Sequence, residues 1–200
     1  MAVVGSIRPK THKEMETSRI IPALVMLCST ECAIPTCEAQ EFAEETFTLN
    51  GVVKDRDSHV VLAKTTIIAT DTAENGSSDH SVRTRADQRG KYKLSLPYDR
   101  VYMVEYWSQG HVAKRVIVDL MKVKEKEREG GNTMTLEITL FPMLLNVDYS
   151  AYKIPVAICR FDKREKKFLW DNEYGRQRDI ELAEVKKQQL AERRSMAATL

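Results

Sequence analysis

From Phe47 to Phe141 the chain alternates apolar and polar residues with a period of two. Phe47, Leu49, Gly51 and Val53 interleave with Thr48, Asn50 and Val52. Tyr92, Leu94 and Leu96 interleave with Lys91, Lys93 and Ser95, and Met134, Leu136, Ile138 and Leu140 with Thr135, Glu137 and Thr139. Successive side chains of an extended strand point to opposite faces, so each run offers one face to a core and one to water. Weaker runs over Thr65–Ala73, Ser81–Ala86, Val101–Ser108 and Ala113–Leu120 bring the predicted strands to seven. Turn signals separate them: Asn75-Gly76, the tight hairpin Asp87-Gln88-Arg89-Gly90 in which glycine supplies a positive φ, and Gly110. Strands wet on one side argue for antiparallel sheets. Seven of them in about 95 residues argue for a β-sandwich.

Beyond this region the pattern changes. Met121–Gly131 is a charged, mobile connection between the last two strands. Ile154–Asp171 reads as a second hairpin with Phe161, Phe168 and Trp170 on its apolar side. Asp171 or Asn172 caps a helix from about Glu173 to Met196. Its apolar residues, Ile180, Ala183, Val185 and Leu190, are sparse, so the sequence predicts a solvated, fraying helix or else one that docks on a partner. The domain division is therefore residues 1–39, then 46–141, then 142–200 with the hairpin and charged helix.

The segments TFTLNGVVKDRDSHVVLAKTTIIAT, VRTRADQRGKYKLSLP and YMVEYWSQGHVAKRVIVDL resemble the carboxypeptidase regulatory-like family over residues 46–141. Gly51-Val52-Val53 matches that family's first element, and Ala86–Tyr92 its hairpin, with Ala for Thr and Tyr for Phe. Gly110-His111 replaces the usual Gly-Tyr, and Val61-Leu62 the usual Pro-Leu. The resemblance implies a transthyretin-like (prealbumin-like) sandwich in a bacterial secreted envelope protein. It assigns no activity.

The N-terminus reads as an export signal, with a disordered or membrane-anchored segment as the alternative. Arg19 precedes the apolar run Ile20–Cys28, too short for a bilayer span of about 20 residues but suited to the core of a secretory signal. Glu31 and Pro22 run against it, while the small residues Cys37 and Ala39 suit cleavage before Gln40. Met15 offers a second start that gives the signal its usual length. Cys28, Cys32 and Cys37 would leave with it, so Cys159 would be the one thiol of the mature chain, read as a small core residue. The expected location is secreted or periplasmic, with no transmembrane span in the mature chain.

Composition excludes more than it assigns. Net charge is only +2, which argues against a general nucleic-acid coat, so any electrostatic role needs local clustering. No phosphate-binding glycine loop or Gly-x-Ser-x-Gly elbow occurs. The 5-hydroxyisourate hydrolases of the transthyretin fold end in Tyr-Arg-Gly-Ser, whereas this chain ends SMAATL. His59, His80 and His111 fall in separate loops without a partner at motif spacing, and no cofactor or metal is expected. Asp55-Arg56-Asp57 is a solvated turn, or at most a weak calcium site. Two surface features remain. Arg83 and Arg85 on one predicted strand face Lys91 and Lys93 on its hairpin partner, a stripe for an anionic partner. Tyr98, Tyr102, Tyr106 and Trp107 form an aromatic cluster in which Tyr102 and Tyr106 belong to the core face and Trp107 to the wet one. The residues thus favour a non-enzymatic envelope module binding a protein or glycan. An adaptor docking on a membrane assembly through its helix, or a small hydrolase, are the alternatives.

Overall fold

A computed structural model describes residues 45–72, 81–129 and 131–198. The export segment, Asn75-Gly76 and His80 lie outside the described residues. Contacts divide the chain into Met1–Glu41 and Phe42–Leu200, and all described residues fall in the second unit. It is a β-sandwich with C-terminal helices. The strands are β1 (Thr46–Asp55), β2 (Thr66–Asp71), β3 (Ser81–Arg85), β4 (Lys91–Pro97), β5 (Val101–Trp107), β6 (Lys114–Asp119), β7 (Thr133–Leu140), β8 (Ala157–Asp162) and β9 (Lys167–Trp170). Three form one sheet in the order β4-β1-β7, and six the other in the order β3-β2-β5-β6-β8-β9.

The alternation places the core as expected. Phe47, Leu49 and Val53 of β1 and Leu94 and Leu96 of β4 meet Ile67, Ala69, Tyr102, Val104, Tyr106, Val116 and Val118 of the larger sheet. Two features differ from the sequence reading. The described strands number nine rather than seven, because β8 and β9 extend the larger sheet through β6 instead of standing apart. The sheets are mixed rather than antiparallel, since β1 pairs with β7, and β6 with β8, in parallel. A period of two reports which face is buried; it carries no information on strand direction.

The β1–β7 pairing explains Gly51. A Cβ there would lie 1.8 Å from the Leu136 carbonyl oxygen and 3.1 Å from the Tyr92 hydroxyl. That space lets the Tyr92 phenol reach the Leu136 carbonyl at 3.1 Å and the Tyr106 hydroxyl, on the opposite sheet, at 3.0 Å. The two sheets are thereby joined by a hydrogen bond inside the core as well as by packing. Burial holds the Tyr92 hydroxyl proton on up to about 12, its bond to Tyr106 opposing the shift only in part.

In the connection between β6 and β7, residues 121–129 are tied to the sandwich by specific contacts where the sequence reading expects a mobile loop. Helix α1 (Glu125–Arg128) makes one turn in it, Val123 is buried, and Arg128 stacks over Tyr98 at 4.8 Å while bonding the Val123 carbonyl and the Asp99 carboxylate.

The expected C-terminal helix is two helices, α2 (Asn172–Glu181) and α3 (Ala183–Ala198), broken at Leu182. Asp171 caps α2, its carboxylate accepting from the Tyr174 amide at 3.0 Å. Neither helix is solvated all round. Leu182 and Val185 join Val112, Phe141, Val147 and Tyr152 in a second apolar cluster. Arg178, also buried, donates to the carbonyls of Pro155 and Ala151. Among the described residues no helix is long and apolar enough to cross a membrane.

Candidate functional site

The residues expected to bind a partner occupy one corner of the sandwich, in an arrangement the sequence did not foretell. Arg83, Arg85, Lys91 and Lys93 are all exposed, as alternation predicts. They do not oppose one another across a ladder. β3 pairs with β2 and β4 pairs with β1, so the turn at 87–90 carries the chain from one sheet to the other. The turn itself is as read: Asp87 accepts from the amides of Arg89 and Lys91, and Gly90 has φ +69. The two arginines therefore lie on the outer face of the larger sheet and the two lysines on that of the smaller. No carboxylate among the described residues forms an ion pair with any of the four.

Trp107 joins the arginines. Thr66 of β2 is flanked by Arg85 on one side and Trp107 on the other. Directly opposed residues share a face, so the indole, 50% exposed, and the Arg85 guanidinium border one patch, with Thr66 buried between them. In the neighbouring row Arg83 lies across Ile68 from Glu105, and Glu105 pairs with Arg115. Tyr102 and Tyr106 belong to the core, as their positions imply, and Tyr98 is buried with them.

The loop after β1 is built around Asp55. Its carboxylate accepts from the amides of Asp57 and Ser58 and from the Ser58 hydroxyl, and it meets His111 Nε2 at 3.0 Å. Burial opposes the charge, but the Ser58, His111 and Asp57 hydrogen bonds prevail and hold Asp55 at about 2. His111 Nδ1 lies 2.9 Å from the Gln109 carbonyl. This histidine thus has an acidic neighbour 56 residues away that no spacing rule could find. Asp57 pairs with Arg193 at 2.5 Å. Both carboxylates considered for calcium are engaged by basic side chains, and among the described residues no cluster of three His, Cys, Asp or Glu could hold a metal ion.

The turn that Asp55 closes also carries Arg56, whose amide donates to the Leu140 carbonyl at 2.7 Å, and Arg56 leads to a feature the sequence reading missed. A cleft of about 390 Å³ between the sandwich and helices α2 and α3 is lined by Arg56, Lys114, Tyr152, Arg178, Asp179 and Lys186, among others. A second hollow of about 330 Å³ continues from it, sharing Arg56 and Lys186 and reaching Arg193. Lys114 Nζ stands 5.2 Å, and the Arg56 guanidinium 5.9 Å, from the centre of the Phe141 ring. Burial, reinforced by the charges of Arg56 and Lys186, pulls the Lys114 amine down to about 8. The lining comes from five separate stretches of chain, at residues 56, 114, 139, 152–156 and 175–186, and no local signal marks it.

Cys159 is fully buried with its thiol 3.2 Å from Met134 Sδ, and burial pushes it up to about 12, the state of an inert core residue.

No family model matches the chain, and no curated protein matches it. Among solved structures, 3-chlorocatechol 1,2-dioxygenase from Rhodococcus opacus is 11% identical with a TM-score of 0.38, over 52% of this chain and 62% of the enzyme. Catechol 1,2-dioxygenase from Acinetobacter is 11% identical with a TM-score of 0.37, over 54% of this chain and 56% of the enzyme. The C-terminal domain of the shaft pilin SpaA from Lactobacillus rhamnosus is 13% identical with a TM-score of 0.33, over 49% of this chain and 98% of that domain. The chain thus spans under two thirds of either dioxygenase, and likeness this distant transfers no activity, substrate or partner.

Proposed function

We propose that this chain is an exported, non-enzymatic envelope module of the carboxypeptidase regulatory-like kind, which binds an anionic protein or glycan on the outer face of its larger sheet. The observation that supports this reading is the row Arg85-Thr66-Trp107, with Arg83 beside it. It puts an exposed indole on the same sheet face as two cations, with strand β2 between them, and no described carboxylate forms an ion pair with either cation. An aromatic face with flanking donors suits a sugar ring or an aromatic-lined protein contact. Lys91 and Lys93 extend the positive potential round the corner. Cations on edge strands also discourage edge-to-edge pairing.

The experiment uses the mature protein on immobilised acidic glycans and in crosslinking to envelope proteins of the source cells. Retention should fall with rising salt, as exposed charges are screened beyond about 8–10 Å. The double variant R83E/R85E and the single variant W107A should each lose about tenfold or more in affinity. Retention equal to wild type in both variants would sink the reading. N-terminal sequencing of the exported form should give Gln40 as its first residue; an uncleaved cytoplasmic chain would remove the envelope from the proposal.

A further inference from the structure

We propose that the cleft between the sandwich and helices α2 and α3 binds a small phosphate-bearing dianion, separately from the partner face of the larger sheet.

The charges set the valence. Four cations line the cleft: Arg56, Lys114, Arg178 and Lys186. Two carry their own carboxylates, Arg178 pairing with Glu181 and Lys186 with Asp179. Arg56 and Lys114 have none within ion-pair distance among the described residues. Both instead stand over the single Phe141 ring. An aromatic face attracts each cation weakly but neutralises neither. Two like charges gathered over one ring repel; burial first, and the Arg56 charge second, lower the Lys114 amine. A doubly charged ligand would cancel both.

Geometry narrows the chemistry. A phosphate monoester carries close to two charges at neutral pH and three acceptor oxygens. The guanidinium of Arg56 is a planar fork that suits two of those oxygens, and the Lys114 ammonium is a compact point charge for the third. A single carboxylate would leave one cation uncompensated. The cleft, at about 390 Å³, is of the size of small-molecule pockets, so it accommodates an organic group beyond the phosphate. The site is also preorganised on its sandwich side. The Asp55 carboxylate clamps the turn that carries Arg56, and Lys114 begins β6.

The test is calorimetric titration of the full chain with inorganic phosphate and with glycerol phosphate, at matched ionic strength and with succinate as the non-phosphate dianion. Wild type should bind a phosphate and gain thermal stability from it. K114M and R56Q should each weaken binding about tenfold or more, while R83E/R85E leaves it unchanged. Without ligand both cleft variants should melt no lower than wild type, which separates lost binding from lost fold. Tighter binding of glycerol phosphate assigns an organic monoester; tighter binding of inorganic phosphate assigns the free ion. Absence of binding to either at about 10 mM, equal binding by K114M, or equal affinity for succinate would each overturn the proposal. Failure here would leave the partner-face reading standing, since R83E/R85E tests that one alone.

Discussion

Lys114 is where the chemistry of single residues diverges most from what the sequence implies. It precedes Arg115 at the start of β6, in a run the sequence marks only as a weak strand. Arg115 is answered locally, by Glu105. Lys114 is instead covered by helices that arrive some seventy residues later, and its amine falls from 10.5 to about 8. The direction of the effect on stability follows from proton counting. Below pH 8 the lysine is charged in both states, and the folded state carries the full penalty. Between pH 8 and 10.5 the unfolded chain keeps a proton that the folded chain has released, so this group makes stability rise with pH. K114M removes the penalty, of at most about 3 kcal/mol, less the cation–π contact of about 0.5–1 kcal/mol. Urea titrations should therefore find K114M more stable than wild type at pH 7, the gap closing towards pH 10; a gap independent of pH would contradict the account. Exposure of Arg83, Arg85, Lys91, Lys93 and Trp107 was legible residue by residue, because alternation assigns a face. Their grouping was not, because grouping depends on which strands pair.

At the scale of elements, the strands were legible and their partners were not. Phe47, Leu49 and Val53 announce the inner face of β1, but nothing in them announces β7 running parallel at its side. Gly51 is the exception, a local mark of a distant contact. Its missing Cβ makes room for the Leu136 carbonyl, an oxygen of the backbone that cannot swing aside as a side-chain end would. G51A should force β1 and β7 apart and disturb the bridge from Tyr92 to Tyr106. A loss of about 3 kcal/mol or more in urea unfolding is expected, in the class of overpacked core sites. A loss below about 1 kcal/mol would mean that the ladder shifts freely there. The helices were misread as solvated for a different reason. Their buried face runs Arg178, Leu182, Val185, Gln189, at spacings of four, three and four residues. That is a proper helical stripe, but two of its four positions are polar, so a search for apolar periodicity passes over it. Arg178 is tolerated because each of its three nitrogens donates to an acceptor, the Pro155 carbonyl, the Ala151 carbonyl or Glu181, and a buried cation so paired offsets much of its desolvation penalty.

For the molecule as a whole, the question is whether the C-terminal region is an appendage to the sandwich or part of it. Composition says appendage, because charge rises after Asp171 and apolar residues thin out. Packing says part. β8 and β9 continue the larger sheet, Phe168 meets Phe47 across the core at 4.5 Å, and Leu182 and Val185 complete a cluster that Phe141 and Tyr152 cannot close alone. Polar contacts tie the same helices to the loops below, Arg193 to Asp57 and Glu192 to Asn146. Ending the chain after Asp171 decides between the two. If the helices are an appendage, the melting midpoint and surface hydrophobicity stay as they were. If they are structural, the main core between the sheets survives while the second cluster opens to water. Burying a Leu or Val side chain contributes about 1.5–3 kcal/mol, so losing Leu182 and Val185 should lower the midpoint by roughly 10 °C. A dye that fluoresces on apolar surface should bind over Phe141 and Tyr152, and the far-ultraviolet spectrum should keep its β signature. The same truncation removes Arg178 and Lys186, hence one wall of the cationic cleft, and should abolish phosphate binding while R83- and R85-dependent partner binding persists. Survival of phosphate binding in the shortened chain would place the anion on the sandwich alone and deny the helices any share in the site.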